Sequence, residues 1–353
     1  MNHGSRFSAL SRAQAIIAIC VLLMIIGAGF IKQASQGTPG SPVSAKPQIA
    51  DADLLLYRTV NARVAQGENY YQVSAEELRL GNYPLKPFVT FRLPTLAYIL
   101  ASLGPVASIG LLWALTVIML SAWWRLLDNA FDDPGRRITG IMLIGTGSAI
   151  VVQTQYVVMH ELWAGLLIAL AAALRQLHRW WWALAFAAAA LIIRELALPF
   201  VLLLATFALF EKRVKEWAAY TALVCVFGIV IWVHAEQVAA VVRASDPASP
   251  GWLSIGGWQG FLRAMRLTSA IRVLPEWIGN ITIILAFFGW ISWRTTTGLF
   301  CTLLLAGYGI IFMVLGRPDN FYWGLIVAPL LLLGLAFLPR AVGDLRGAIM
   351  RSS

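Results

Sequence analysis

From Leu93 to Trp124 the chain carries no charged side chain, 32 residues in succession. As a single helix that run would be about 48 Å long, against a hydrocarbon core of roughly 30 Å. A soluble domain has nowhere to bury it, so lipid is its natural solvent. The whole chain agrees: 59% of its 353 residues are hydrophobic, only 12% are charged and 15 are tryptophan, more apolar surface than a soluble core takes in and too much for a disordered chain. The net charge of +10 would suit nucleic acid, but the basic residues stand in ones to threes at the ends of apolar runs. Orientation in a bilayer accounts for them, and no nucleic-acid partner is expected. Cys20, Cys225 and Cys301 all lie inside apolar runs without CxxC spacing, which argues against a zinc site or a disulfide framework.

The pattern predicts an all-α polytopic membrane protein of about ten spans, a single membrane domain over 1–353. Ala15 to Ile31 has the basic start and apolar body of either a leader or a span; without a small-x-small cleavage site, a retained helix is expected. A polar stretch from Lys32 to Arg92 follows, read as a first outer loop carrying surface helices. Gly104-Pro105 divides the long uncharged run into a short surface or re-entrant helix from Pro94 and a span from Pro105 to about Leu127. Ile138 to Leu174 is expected to break near Gln153-Thr154-Gln155, and Trp180 to Phe210 at Arg194-Glu195. Further spans are expected over Trp217 to Val233, Trp277 to Trp293, Gly298 to Leu315 and Phe321 to Leu338, with a second outer loop over 236–275.

Charge fixes the expected orientation. With the N-terminus inside, the inner connections hold Arg125, Arg136 and Arg137; Arg175 and Arg179; Lys212, Arg213 and Lys215; Arg294; and Arg340, Arg346 and Arg351. The short outer turns hold only Arg194 and Arg317. That distribution follows the positive-inside rule and places both termini in the cytoplasm, in an inner (cytoplasmic) membrane.

Two dipeptides stand out. The uncharged stretches flanking Arg194-Glu195 each give only about 21 to 23 Å of helix, so this pair is expected below the outer membrane surface. His160-Glu161 is expected a turn or two inside its span. Charges at such depth line a water-filled cavity or pair with each other; a purely structural bridge from Arg194 to Glu161 or Glu195 is the competing reading. On the outer loop, Leu56, Val60 and Val64 recur every four residues with Arg58, Asn61 and Arg63 between them, an amphipathic surface helix. Asp51 at its start reads as an N-cap and Asp53 as complementing the dipole; the D-x-D spacing also suits a divalent cation, although nothing in the sequence requires one. Ser74-Ala75-Glu76-Glu77 has capping-box spacing. Arg92, Arg194, Arg263, Arg266, Arg272 and Arg317 supply guanidinium groups of the kind that recognise phosphate.

An Asp shortly after the first span, followed by Tyr and then Gly and Tyr, is met here as Asp53, Tyr57, Gly67, Tyr70 and Tyr71. With Tyr83-Pro84 through Arg92-Leu93-Pro94-Thr95, Ile193-Arg194-Glu195, and Gly316-Arg317 through Trp323-Gly324, the chain resembles the C-type glycosyltransferase superfamily, multi-span enzymes that use polyprenyl-phosphate-linked sugars. The resemblance implies an inverting transfer of sugar from that carrier to a glycan, lipid or protein acceptor on the periplasmic face. It implies Asp53 as base, with Asp51 as its alternative or a metal partner; Arg194, Arg317 and Arg92 toward the donor phosphate; and His160, Glu161, Glu195 and Tyr57 holding sugar hydroxyls or orienting the arginines. Chemically, one carboxylate base suffices, because a departing phosphate needs positive charge more than a general acid. A transporter or lipid flippase, a non-catalytic assembly subunit, and an oligosaccharide ligase or polymerase are the alternatives.

Overall fold

A computed structural model describes residues 5–31 and 51–351. Among them the chain is all-helical, with two isolated β-bridges, Lys86 to Ala248 and Leu253 to Leu315. The helices are α1 (Arg12–Ala28), α2 (Asp51–Ala65), α3 (Tyr70–Leu80), α4 (Thr95–Asp128), α5 (Pro134–Gly147), α6 (His160–Gln176), α7 (Trp180–Ile193), α8 (Leu198–Phe210), α9 (Val214–Val241), α10 (Gly257–Leu267), α11 (Glu276–Ser292), α12 (Thr296–Val314), α13 (Ala328–Leu331) and α14 (Leu338–Met350). Four stretches among the described residues are long and apolar enough to cross a membrane: Phe88–Asp128, Val214–Val241, Thr296–Val314 and Ala328–Met350. Shorter apolar helices cover Arg12–Ala28, Trp180–Ile193, Glu195–Phe210 and Glu276–Ser292.

The chain forms two compact units, one from Met1–Pro47, Trp123–Ile150 and Leu253–Ser353, the other from Gln48–Ala122 and Val151–Trp252. In the first, Ser11 and Gln14 close a capping box on α1. Ala15 and Phe7 pack against Phe288 of α11 and Ala341 and Leu345 of α14. The α1 exit is tied by side-chain amides: Gln259 Nε2 donates to the Ile31 carbonyl at 2.8 Å and shares its second proton between those of Ala28 and Gly29, each at 3.2 Å, and Asn280 Nδ2 donates to that of Gly29. These groups satisfy carbonyls that a helix end leaves without partners.

In the second unit α6 is the central rod. All its residues except Leu174 and Gln176 are buried, as expected of a helix apolar on every side. It pairs with α7 through a turn in which His178 takes φ 60°. The expected surface helices are α2 and α3, joined by Val60, Val64, Tyr70 and Val73 around Ala97. Arg63 ties them with ion pairs to Glu68, Glu76 and Glu77 at 2.5, 2.7 and 2.9 Å.

Breaks in the helices fall largely where the residues demand. Gly104 takes φ 73°, a left-handed conformation that glycine adopts without the cost a Cβ brings, and Pro105 after it begins a new helical segment. Gln153 is extended between two short 3-10 turns, and Arg194 interrupts α7 and α8 with extended backbone.

Four expectations require correction. His160 and Glu161 occupy the first turn of α6, because the irregular segment after Gln153 continues to Met159. The capping box at Ser74 is absent: α3 starts one turn earlier, where Asn69 Oδ1 accepts from the Tyr71 and Gln72 amides. α9 continues through Glu236 to Val241, so the second long connection begins at Val242 and itself holds α10. Phe321 to Leu338 is no regular α-helix but 3-10 segments over Pro318–Ile326 and Leu332–Phe337 around α13. That irregular backbone is enclosed by glycines. A Cβ on Gly289 would strike the Gly334 carbonyl, and one on Gly147 the Ala328 carbonyl. Trp290 Nε1 donates to the Leu330 carbonyl at 2.9 Å.

Candidate functional site

In the second unit, residues from four distant stretches converge on one buried ion cluster. Glu161 stands in the first turn of α6 and Arg194 caps the C-terminal end of α7. Each charge complements the dipole of its own helix, and the antiparallel pairing brings the two ends together. Arg194 Nε lies 2.8 Å from Glu161 Oε1, and each side chain is only 1% exposed. The N–H is not aligned on that oxygen, so the contact is an ion pair and not a directed hydrogen bond. Arg194 Nη1 also meets Glu195 Oε1, a carboxylate with 23% of its side chain exposed.

Arg92 approaches the same Glu161 oxygen from the entry to α4, with Nη2 at 3.7 Å. Two tyrosines hold it. Its Nε donates to the Tyr57 hydroxyl at 3.1 Å, and its backbone carbonyl accepts from the Tyr70 hydroxyl at 2.8 Å. Burial pushes both phenols above their ordinary pKa; around Tyr57 the charges of Arg92, Glu161, Asp53 and Arg194 also act. Tyr57 is partly exposed as a residue. His160 sets its ring edge-on to Tyr57, centroids 5.5 Å apart, and neither ring nitrogen has a well-formed hydrogen bond.

Asp53 lies one helical turn before Tyr57 on α2, on the same face. It is neither fully buried nor exposed, and its Oδ1 accepts a 2.6 Å hydrogen bond from Tyr83. The structure thus gathers Asp53, Tyr57, Arg92, His160, Glu161, Arg194 and Glu195 within one unit. Asp51 begins α2, but its side chain lies outside the described residues. Arg317 belongs to the other unit, where it lies 3.3 Å from Asp319 and its amide donates to Asn320 Oδ1. Among the described residues no three His, Cys, Asp or Glu side chains come together as metal ligands.

Sequence reasoning missed His234 in α9, whose Nδ1 is 3.1 Å from the Tyr71 hydroxyl; a lone polar ring inside an apolar helix was the available signal. The bridge between Arg79 and Asp246 was missed as well. Arg79 Nε donates to Oδ1 at 2.8 Å and Nη2 to Oδ2 at 2.7 Å, and the Arg243 amide adds a third bond. No protein-family model, no curated protein and no solved structure matches the chain.

Proposed function

We propose that the chain is an inverting glycosyltransferase of the C-type architecture, with ten crossings and both termini in the cytoplasm, moving a sugar from a polyprenyl-phosphate carrier to an acceptor on the periplasmic face. The observation that carries this reading is the convergence of Asp53, Tyr57, Arg92, Glu161 and Arg194 in one unit. Asp53 is the base: it is accessible and held by Tyr83, and it takes the acceptor proton as the hydroxyl attacks the anomeric carbon. Arg92 is the cation placed to meet the leaving phosphate, because Arg194 is enclosed by two carboxylates and would reach a phosphate only after Glu195 lets go. Glu161 fixes both arginines. In this reading a divalent cation on Asp53 and Asp51 is optional.

A second reading has its own support. Buried ion pairs occupy both ends of α6, with Arg175 and Glu216 at the far end, and paired charges at two ends suit the gates of a lipid flippase. Purified protein in liposomes separates the two. Transfer of labelled sugar from polyprenyl phosphate, lost in Asp53→Asn with donor binding retained, supports the transferase; removing a general base costs roughly 10²- to 10⁴-fold. Movement of the carrier between leaflets without transfer supports the flippase.

A further inference from the structure

At the end of α6 away from Glu161 lies a second ion network. Arg175 Nε is 2.5 Å from Glu216 Oε1 and its Nη2 is 3.0 Å from Glu211 Oε2; Arg175 and Glu216 are each 2% exposed. Arg213 reaches the same two acids, at 3.1 Å from Glu211 and 3.3 Å from Glu216. Two acids therefore answer two arginines, and Arg179, Lys212 and Lys215 remain as surplus positive charge in the same two turns.

A cavity of about 340 Å³ opens beside the network, lined by His178, Trp180, Arg213, Val214, Lys215 and Glu216. Both oxygens of Glu216 are engaged, Oε1 by Arg175 and Oε2 by Arg213, so that acid does not offset Lys215. Val214 opens the apolar 28-residue α9 and Trp180 opens α7, with Trp181 and Trp182 exposed alongside. Tryptophan in this position marks the boundary between headgroups and acyl chains. The cavity thus joins cations to an apolar flank where two helices would meet the lipid surface.

We propose that this cavity binds the phosphate of an anionic phospholipid headgroup, with Lys215 on the phosphate oxygens, Arg213 beside them, and Trp180 and Val214 against the start of the acyl chains. A free phosphate would use the cations but not the apolar flank. Basic pockets between helices at the membrane surface take anionic headgroups for the same electrostatic reason. This site is independent of the transfer reading.

Native mass spectrometry of the full chain in detergent, titrated with phosphatidylglycerol or phosphatidylcholine, tests it. Lys215 makes no ion pair in the network, so Lys215→Gln leaves the fold in place. Retention of phosphatidylglycerol in preference to phosphatidylcholine, weakened about fivefold in Lys215→Gln as expected for one surface cation and restored in Lys215→Arg, supports the proposal. Equal retention of the two lipids, or unchanged retention in Lys215→Gln, overturns it. Displacement of phosphatidylglycerol by millimolar inorganic phosphate would assign the cavity to a free anion and overturn the lipid assignment.

Discussion

Glu161 and Arg175 stand in the first and last turns of the same helix, opposite in charge, each buried and each neutralised by a residue from another helix or turn. Fourteen residues separate them, about 21 Å along the axis. A rod so apolar carries charge only at its two ends, where partners exist to meet it.

Removing one member of the Glu161–Arg194 pair leaves the other buried with only its secondary partner, Arg92 at 3.7 Å for Glu161 or the half-buried Glu195 for Arg194. Glu161→Gln or Arg194→Met is expected to destabilise the protein by about 3–5 kcal/mol, read as a fall in the apparent melting temperature in mild detergent. The double replacement is expected to lose less than the two single losses added together. Strict additivity would show that the two residues do not depend on each other.

Tyr83 positions Asp53 through one hydrogen bond at 2.6 Å. Bonds to charged groups are worth about 1.5–3 kcal/mol, so under the proposed transferase reading Tyr83→Phe is expected to lower the transfer rate roughly tenfold or more. As a positioning residue it should act on kcat with donor KM little changed. A rise in KM alone would assign Tyr83 to substrate binding instead.

Hydrogen bonds from Arg79, and then from the Arg243 amide, hold the Asp246 carboxyl well below the usual carboxylate range. A group depressed in the folded state contributes its stability fully above the pKa of the unfolded chain, near 4, and loses it as pH falls through the lower folded value. Amide hydrogen exchange at the end of α3 and in residues 242–252 should therefore be equally protected at pH 7 and pH 5. Asp246→Asn should loosen both segments at pH 7. Protection that faded between pH 7 and pH 5 would contradict the assignment.

Gly289 and Gly334 meet backbone to backbone, and Gly289→Ala would place a methyl group on the Gly334 carbonyl oxygen, a backbone atom that cannot swing aside as a side chain can. Overpacking of this kind costs about 1–3 kcal/mol. The expected result is a lower melting temperature and poorer recovery from the membrane. Gly307→Ala, where a Cβ meets open space, should be neutral.

Local punctuation was the legible part of the sequence. Gly104-Pro105 disrupts a helix through its own backbone chemistry, and the chain is also irregular at Gln153 and Arg194, where polar or charged groups interrupt apolar runs. Val60 and Val64 face inward on α2 as their spacing requires. The pairing of Arg194 with Glu161 or Glu195 was legible as one of two readings of these deep charges, and the structure shows both contacts; that Arg92 would join them was not legible. Which partner each would take depends on helix pairing, which no local pattern encodes. The bond from Tyr83 to Asp53 and the contact of His234 with Tyr71 join residues 30 and 163 positions apart, beyond the reach of any periodicity. The stretch from Phe321 to Leu338 misled because hydropathy measures avoidance of water and does not distinguish lipid from a protein interior.

That stretch has a further consequence. Irregular backbone is tolerated at membrane depth only where protein covers its peptide groups, and glycines in α5 and α11 let neighbouring backbone come close enough to do so. One of the most apolar parts of the chain is therefore shielded from the very solvent its hydropathy seems made for. A carbene-generating probe dissolved among the acyl chains would mark Trp232 and Ile229, exposed on α9, and pass over Leu330 to Leu333.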